Sequence, residues 1–235
     1  MTPAASGTCP SSGFKNRTGS TKRIILRRMS VHIVSHPLAQ DALHRLRDIK
    51  TDTEEFRRLS LRISLLVLVE ALRDLRTEPA TAQTPLEQAS GSRLAAGVVA
   101  VPVLRAGLGM LDAALMLLPG ARVGHIGLQR DESTAQASQY YAKLPDGLAE
   151  ADTILLDPML ATGGSAVAAL DLIKAAGAQT VRMVCIVAAP EGIGLVERTH
   201  PDVEIYTPVI DRTLNARQYI LPGLGDFGDR LYGTC

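Results

Sequence analysis

Residues 154–166 read ILLDPMLATGGSA, and this stretch decides the expected fold. Its first three residues form a continuous apolar run, which is typical of a strand covered on both faces. Beyond a short loop, apolar residues recur at helical spacing from Ala166 to Ile173. The order of strand, loop and helix therefore predicts one unit of an α/β protein with a parallel sheet.

The loop inside this stretch has the composition of an anion site. Backbone N–H groups and the positive end of the helix dipole converge where the helix begins, and the paired Gly163 and Gly164 let a phosphate approach the backbone. Thr162 and Ser165 add hydroxyl donors. No lysine follows the glycines, as an ATP-binding loop would require, and the loop lacks the GxGxxG pattern of dinucleotide sites. The expected ligand is a phosphate monoester.

Asp157 follows the predicted strand directly, at the edge where open α/β sheets place ligand-binding groups. Its two oxygens can accept hydrogen bonds from adjacent sugar hydroxyls. The carboxylate and the anion loop together favour a phosphorylated ribose as ligand. This stretch alone leaves one alternative open, an ordinary strand-to-helix turn capped by Thr162 or Ser165.

The segment DPMLATGGS at 157–165 resembles the loop of uracil phosphoribosyltransferases that binds 5-phospho-α-D-ribose 1-diphosphate (PRPP). The resemblance extends from about Val31 to the end of the chain. Three further segments carry it in the order of that family: VPVLRAGLGM at 101–110, VAAPEGI at 187–193 and YILPGLGDFGDRLYGT at 219–234. It implies a parallel-sheet α/β fold of the type I phosphoribosyltransferase kind, with an N-terminal helical region and a small C-terminal base-binding hood.

The resemblance also implies an activity and its residues. The activity is pyrimidine salvage by a pentosyl-transferring glycosyltransferase, which converts uracil and PRPP to UMP and diphosphate. The implied catalytic residues are Arg105, Asp157 and Asp226. The implied PRPP-binding residues are Arg105, Arg130, Asp157, Pro158, Met159, Leu160, Ala161, Thr162, Gly163, Gly164, Ser165 and Asp226. The implied uracil-binding residues are Ile220, Gly225, Asp226 and Phe227.

Arg105 also has a physical argument of its own. It follows a predicted strand, so it reaches the same kind of sheet edge as Asp157, and its fork of donors suits the oxygens of a departing diphosphate. Taken alone, a surface arginine capping a turn explains it equally well. Mg²⁺ is expected to bridge phosphate oxygens through substrate and water, with Asp226 as the candidate protein ligand, because the sequence offers no clustered carboxylate cage.

The C-terminal segment 219–234 contains four glycines and is predicted to be irregular. Its backbone N–H and C=O groups could reach the edge of a flat pyrimidine. A C-terminal cap without a ligand is the alternative. Many bacterial relatives have Ala at the position of Phe227. That difference is harmless if the contact is made by backbone, and it affects selectivity for base size if the side chain lines the pocket.

Periodicity and turn residues predict the remaining elements. Asp52 is the expected N-cap of the second helix, with Glu55 three residues later. The predicted elements are helices at 37–47 and 52–76, a loop containing at most a short strand at 77–90, a strand at 98–103 followed by a helix to 118, a strand at 123–128, an exposed arm at 133–145, a strand at 181–188, a helix from 191 and a strand at 203–207.

Composition limits the class of protein. The 235 residues, 46% of them hydrophobic, suffice for one α/β domain. Residues 1–28 carry six basic residues and no acidic one, so the remainder has a net charge of −5 against +1 for the whole chain, which argues against a nucleic-acid surface on the domain. We interpret 1–28 as a disordered extension or a misassigned start and 29–235 as the phosphoribosyltransferase domain; a targeting peptide is the alternative.

Three scattered cysteines make a disulfide framework unexpected and favour a reducing cytoplasm. No apolar run reaches the roughly 18 residues that span a bilayer, so no membrane partner is expected. The resemblance implies a homo-oligomer, a dimer or a tetramer, and GTP as a candidate allosteric activator. The competing functions are a catalytically silent regulator or binding protein with this fold and a transferase for another purine or pyrimidine.

The first prediction concerns the basic N-terminal segment. A protein that begins at Met29 should keep its turnover and its thermal midpoint, because residues 1–28 lack core periodicity and precede the resemblance to the family. Steady-state kinetics and thermal unfolding of the full and shortened proteins measure this. A large loss of either property would make the segment part of the fold or of the site.

Overall fold

The computed structural model describes residues 30–130 and 137–234. The α-helices are Pro37–Arg47 (α1), Thr53–Ala71 (α2), Leu108–Leu117 (α3), Gly164–Ala175 (α4), Pro190–Thr199 (α5) and Phe227–Tyr232 (α6). The strands are Val31–Ile33 (β1), Thr77–Gln83 (β2), Gln88–Leu94 (β3), Val98–Leu104 (β4), Arg122–Val123 (β5), His125–Arg130 (β6), Ala137–Lys143 (β7), Asp152–Leu156 (β8), Met159–Leu160 (β9), Thr180–Val184 (β10), Val187–Ala188 (β11), Glu204–Thr207 (β12), Thr213–Leu214 (β13) and Ile220–Leu221 (β14).

A mainly parallel sheet forms the centre of the protein. Its strand order is β1-β12-β10-β8-β4-β6-β7, with β5 also paired to β4, and β7 runs antiparallel to β6 at one edge. Helices α1, α2, α3 and α6 pack on one face of this sheet, and α4 and α5 pack on the other. The predicted α/β class with a parallel sheet is confirmed.

Burial on both faces explains the continuous apolar runs of the central strands. In β4, Val98 and Ala100 contribute to the core under α1, α2 and α3, whereas Val99, Val101 and Val103 contribute to the core under α4 and α5. Successive side chains of a strand point to opposite faces, so a strand between two helical layers needs apolar residues at every position. The same reason accounts for Ile154, Leu155 and Leu156 at the end of β8, which alternate between the two cores.

The first two helices begin where the sequence predicts. The Asp52 side chain accepts a hydrogen bond from the Glu55 N–H at 2.8 Å and caps α2. However, α2 ends at Ala71, five residues before the predicted end. Arg182 of β10 donates to the Ala71 carbonyl at 3.0 Å and forms an ion pair with Asp74 at 2.9 Å. A tertiary partner that the local sequence does not reveal thus holds the end of this helix.

Several predicted elements need correction. Residues 77–90 are predicted to be a loop with at most a short strand, but they belong to an antiparallel hairpin of two seven-residue strands, β2 and β3. Its side chains are mostly exposed and therefore show no apolar alternation. The predicted strand at 123–128 is divided into β5 and β6 around Gly124, and the one at 181–188 into β10 and β11. Of the predicted arm at 133–145, residues 137–143 form β7, and 133–136 lie outside the described residues.

The C-terminal segment contains regular structure, contrary to prediction. Strand β14 pairs antiparallel with β13, and α6 follows within a few residues. Asp226 caps α6 by accepting the Asp229 N–H at 2.9 Å, and Gly233 ends the helix with a left-handed φ of 68°. Within α6, the side chains of Phe227 and Leu231 are buried. The high glycine content hid a helix that is only six residues long.

Three findings bear on the other expectations from composition. Cys185 is a free, buried thiol, whereas Cys9 and Cys235 lie outside the described residues. The predicted boundary between 1–28 and 29–235 also falls outside them and stays a prediction. None of the described helices has the length and apolar character that a membrane crossing requires.

Candidate active site

The candidate site lies where two neighbouring strands end. Strands β4 and β8 pair in parallel, with Pro102 opposite Leu156 in the register, so their following loops leave the sheet side by side. A cavity of about 310 Å³ lies between these loops. Its walls are formed by Val103, Leu104, Arg105, Ala106, Leu128, Asp157, Met159, Leu160, Ala161, Thr162, Gly163, Ser165, Ala166 and Asp226.

The floor of this cavity is the beginning of α4. Gly163 precedes the helix with a φ of 87°, and it has no side chain with which to cap the first N–H groups. A Cβ atom at Gly163 would lie 2.9 Å from the carbonyl oxygen of Gly192 in α5, so the position suits glycine in both conformation and space. The N-terminal end of α4 therefore meets the cavity through backbone, as an anion site requires.

The loop before α4 is held from behind by its own backbone. The carbonyl of Pro158 accepts the N–H groups of Ile186 and Val187 at 2.9 and 3.0 Å, and the carbonyl of Leu160 accepts the N–H of Ala189 at 2.8 Å. Strands β9 and β11 pair in parallel at the same place. The loop is thus fixed before any ligand arrives, which lowers the entropy that binding has to overcome.

Asp157 lies at the end of β8, where its N–H donates to the carbonyl of Val184 at 3.2 Å. Burial raises the pKa of this carboxyl from the usual 3.8 to about 6, and the hydrogen bond from the Met159 N–H to Oδ1, at 3.4 Å, offsets part of the rise. At neutral pH the group is still mostly ionised. It can therefore act as a hydrogen-bond acceptor for hydroxyl groups in the cavity.

Arg105 lies on the opposite wall and is mostly exposed. Its guanidinium is 3.4 Å from Asp229 Oδ1 and 5.9 Å from the centre of the Tyr232 ring, and the Tyr232 hydroxyl donates to the Arg105 carbonyl at 3.2 Å. The Leu104–Arg105 peptide bond is cis. A Cβ atom at Gly107 would lie 2.3 Å from the carbonyl oxygen of Leu156, so glycine allows this loop to lie directly against β8.

A second cavity of about 280 Å³ adjoins the first. The two cavities share Met159, Ala161 and Asp226 on their walls. The C-terminal hood provides the rest of the second cavity: Arg217, Gln218, Tyr219, Ile220, Gly225 and Phe227. The two cavities thus offer adjoining places for a sugar phosphate and a flat ring.

The structure brings most of the predicted residues together at these two cavities. Pro158 and Gly164 belong to the loop without lining either cavity. Arg130 is the last residue of β6, and its side chain lies outside the described part of the structure. The binding roles of all these residues stay predictions.

Sequence reasoning missed Arg217, Gln218 and Tyr219 as cavity residues. They follow a turn in which Asn215 Oδ1 accepts the N–H groups of Arg217 and Tyr219 at 2.9 and 3.0 Å. An asparagine that bonds the backbone two residues ahead is a recognisable turn signal. Asn215 lies immediately before the hood, so its turn signal could have indicated that the chain bends toward the cavity there.

The Phe227 ring is packed in the core, although the residue also lines the second cavity. It is 1% exposed and packs edge-on against Phe56 of α2, with ring centres 5.2 Å apart. A Cβ atom at Gly109 of α3 would lie 3.1 Å from its ring. The ring therefore anchors the start of α6 to the helical layer beneath it.

A larger cavity of about 480 Å³ lies among α2, α3 and α6. Arg57, Arg58 and Asp112 line it together with apolar side chains, and it includes none of the predicted site residues. It also lacks the strand ends at which α/β proteins present their ligand-binding loops. We therefore place the candidate active site at the two smaller cavities.

The fold, with its loops at the carboxyl edge of the sheet and a hood beside them, is that of the type I phosphoribosyltransferases. A sequence model of the uracil phosphoribosyltransferase family matches residues 33–234. The chain is 49% identical to the uracil phosphoribosyltransferases of Staphylococcus epidermidis and Staphylococcus aureus over 205 residues, covering 87% of this chain and 98% of each relative. The chain belongs to the uracil phosphoribosyltransferase family.

A solved structure shares this fold. The AQ2163 protein from Aquifex aeolicus has 37% sequence identity to this chain and superposes with a TM-score of 0.82. The alignment covers 86% of this chain and 97% of that protein. The similarity therefore extends over nearly the whole of the other chain.

The second prediction follows from the burial of Asp157. Because the folded state disfavours its ionised form, ionisation should lower the free energy of unfolding as the pH rises from about 4 through about 6. Asp157→Asn should therefore have a higher thermal midpoint than the wild type at about pH 7.5, and the difference should shrink toward pH 4. Thermal unfolding at both pH values measures this. Equal midpoints at the higher pH would contradict the raised pKa.

Proposed function

We propose that this protein transfers the phosphoribosyl group of PRPP to uracil, forming UMP and diphosphate in pyrimidine salvage. Family membership supports the reaction class. The single observation that carries the proposal here is the pair of adjoining cavities, which share Asp226 and Met159 and place a helix N-terminus beside the glycine-rich hood. Such an arrangement suits a ribose phosphate in one cavity and a base in the other.

In this proposal the loop from Thr162 to Ser165 holds the 5′-phosphate through backbone N–H groups and hydroxyl groups. Asp157 accepts hydrogen bonds from the ribose hydroxyls. Cleavage of the bond between C1 of the ribose and the diphosphate oxygen leaves positive charge on the ribose ring, and the nearby carboxylate stabilises that charge. The site holds the ribose and the base in line, which lowers the entropic part of the activation barrier.

Arg105 is assigned to the departing diphosphate, together with Arg130 at the end of β6. A guanidinium remains charged and donates several hydrogen bonds, which suits oxygens that gain negative charge as the bond breaks. Arg105 is held by Asp229 at 3.4 Å and lies over the Tyr232 ring. Because its guanidinium is mostly exposed, it has room to turn toward a ligand.

Mg²⁺ is proposed as the cofactor. The described residues contain no group of three or more metal-binding side chains. Mg²⁺ commonly retains water and uses one or two carboxylates plus substrate phosphates, and Asp226 lines the cavity where the diphosphate would lie. The residues therefore fit a metal held largely by substrate, with Asp226 as its protein ligand. The metal would neutralise charge on the leaving group.

The base is proposed to lie under the hood, with Ile220, Gly225, Asp226 and Phe227 around it. The Phe227 ring is packed against Phe56, which favours recognition through the backbone at this position. The difference from relatives with Ala at position 227 then affects the packing of α6.

A regulator without catalytic activity is the alternative, and the structure does not favour it. Such a protein could keep the fold while losing the loops that carry the chemistry. Here Arg105, Asp157 and Asp226 all line one cavity. The chain also has 49% identity to proteins named as the enzyme.

We further propose a homo-oligomer, a dimer or a tetramer, in a reducing cytoplasm. The projecting β2–β3 hairpin and the exposed apolar side chains of Val69 and Met116 are suitable surfaces for subunit contact. The buried free thiol of Cys185 suits a reducing compartment. Activation by GTP rests on the family resemblance alone.

The third prediction is the choice of base. A backbone N–H aimed at O4 of uracil would face the amino group of cytosine, and the carbonyl that accepts N3–H would face a lone pair. Sites built on such hydrogen bonds discriminate by about 10⁴ or more, whereas one added methyl group is resolved by only about 10- to 200-fold. Cytosine should therefore be rejected more strongly than thymine, and 5-fluorouracil should be accepted.

The measurement is kcat/KM for all four bases at saturating PRPP, with nucleotide formation as the readout. Absence of UMP formation from uracil and PRPP would refute the proposed function. Comparable turnover of cytosine and uracil would refute only the account of the hood.

The fourth prediction concerns Arg105. Arg105→Ala should lower kcat/KM for PRPP by about 10²-fold or more, because the departing charge loses a fixed donor, while the thermal midpoint should change little. Arg73→Ala is the matched control, since Arg73 is also exposed and pairs with Glu70 on the surface of α2. The control should keep wild-type kinetics. A folded Arg105→Ala protein with wild-type use of PRPP would remove Arg105 from the site.

A further inference from the structure

A buried ion pair lies behind the base cavity. Arg47, the last residue of α1, donates from Nη2 to Asp211 Oδ1 at 2.7 Å and from Nη1 to Asp211 Oδ2 at 2.8 Å. The Asp211 side chain is only 4% exposed. This is a two-bond pairing of guanidinium and carboxylate, which is stronger and more directional than a single contact. Neither residue lines the first cavity, proposed for the ribose phosphate, or the second, proposed for the base and called the base cavity below.

Arg47 and Asp211 both form hydrogen bonds with one residue of the hood, Gly223. Gly223 donates its N–H to Asp211 Oδ2 at 2.9 Å, and its carbonyl accepts from Arg47 Nη1 at 2.7 Å. Both hydrogen-bonding groups of the Gly223 peptide backbone are therefore held by one ion pair. Gly223 has a φ of 60°, and a Cβ atom there would lie 2.2 Å from the carbonyl oxygen of Ile220. Only glycine suits a turn this tight.

The next residue of the hood, Leu224, is also bound by an arginine. Arg230 of α6 donates to the carbonyl of Leu224 at 2.7 Å and to the carbonyl of Asp48, next to Arg47, also at 2.7 Å. The middle of the hood loop is thus fixed to the end of α1. Ile220 and Gly225, on either side of the fixed residues, line the base cavity.

We propose that Arg47 and Asp211 are positioning residues for the base. They hold Gly223 so that the backbone groups of Ile220 and Gly225 lie where they can read the edge of a pyrimidine. This inference rests on the proposed transfer to uracil and adds to it two residues that touch neither substrate. Recognition by backbone leaves no side-chain rotamer to absorb an error, so a shift of about 1 Å in the loop is expected to cost up to about 10²-fold in productive binding.

A purely structural role for the pair makes a different prediction. Any buried ion pair that loses one partner destabilises the protein, wherever it lies. Lower stability alone should not alter the use of one substrate more than the other. A positioning role should weaken the binding of uracil selectively and leave PRPP, which is held by the loop before α4, little affected.

The experiment compares matched substitutions of two arginines, each of which binds one carboxylate and one backbone carbonyl. Arg47→Lys keeps the charge and loses the fork of donors. Arg182→Lys makes the same chemical change in the pair of Arg182 with Asp74, which anchors the end of α2 away from both cavities. Asp211→Asn is the stronger test, because an amide cannot accept both bonds from Arg47. If that variant fails to fold, Arg47→Lys decides the question.

We expect the KM for uracil to rise about 10-fold in Arg47→Lys and up to about 100-fold in Asp211→Asn, with smaller changes in kcat and in the KM for PRPP. Arg182→Lys should lower the thermal midpoint without raising the KM for uracil. Wild-type KM for uracil in both hood variants would overturn the proposal. An equal rise in the control, or an equal rise in the KM for PRPP, would overturn it as well.

Hydrogen exchange of the backbone amides separates this proposal from the proposed function. In Asp211→Asn the amides of 219–226 should lose protection, led by Gly223, whereas in Arg182→Lys they should keep it. If the wild-type protein makes no UMP, the proposed function fails, and exchange alone then decides whether the ion pair holds the hood. Unchanged protection of 219–226 would refute the positioning role regardless of activity.

Discussion

The parallel pairing of β4 with β8 is the constraint on which the rest of the site depends. The pairing sets Pro102 opposite Leu156, so the two following loops begin at the same level of the sheet. Arg105 and Asp157 come from segments about fifty residues apart in the chain, yet they line the same cavity. Burial of both strands between two helical layers keeps this register, because a slip by one residue would turn every side chain to the wrong core.

The backbone of each loop in the candidate site is fixed by contacts with another part of the fold. The loop before α4 is tied to β11, and the loop after β4 lies directly against β8, where Gly107 leaves no room for a side chain. The hood is tied to the end of α1 through Arg47 and Asp211. A site that reads its ligands largely through backbone groups needs such support, because backbone cannot change rotamer to follow a ligand.

Burial also determines the chemistry of the central carboxylate. Asp157 sits where desolvation raises its pKa to about 6, and the N–H of Met159 limits that rise. The group is ionised at neutral pH but is held at a cost to stability. Such a cost is common at functional sites, where a group is positioned for its ligand and not for the stability of the fold.

The sequence by itself determined the α/β class, the parallel sheet and the position of the loop before α4. Those features are written in local patterns: continuous apolar runs, helical spacing and paired glycines. It also placed the starts of α1 and α2, because caps are local. Family resemblance named the site residues, and the structure brings most of them to two adjoining cavities.

Only the tertiary structure decided the features that depend on distant partners. The end of α2 at Ala71 is held by Arg182, more than a hundred residues away in the chain. The β2–β3 hairpin is exposed and does not pack on the core, so its sequence lacks the apolar alternation that predicts a strand. The glycines of segment 219–234 argue against a helix, yet the short α6 forms there because Asp226 and Gly233 cap its two ends. The pairing of Arg47 with Asp211 has no local signature at all. Contacts between residues far apart in the chain become visible only when the chain is folded, because their energies depend on distance in space and not on spacing in sequence.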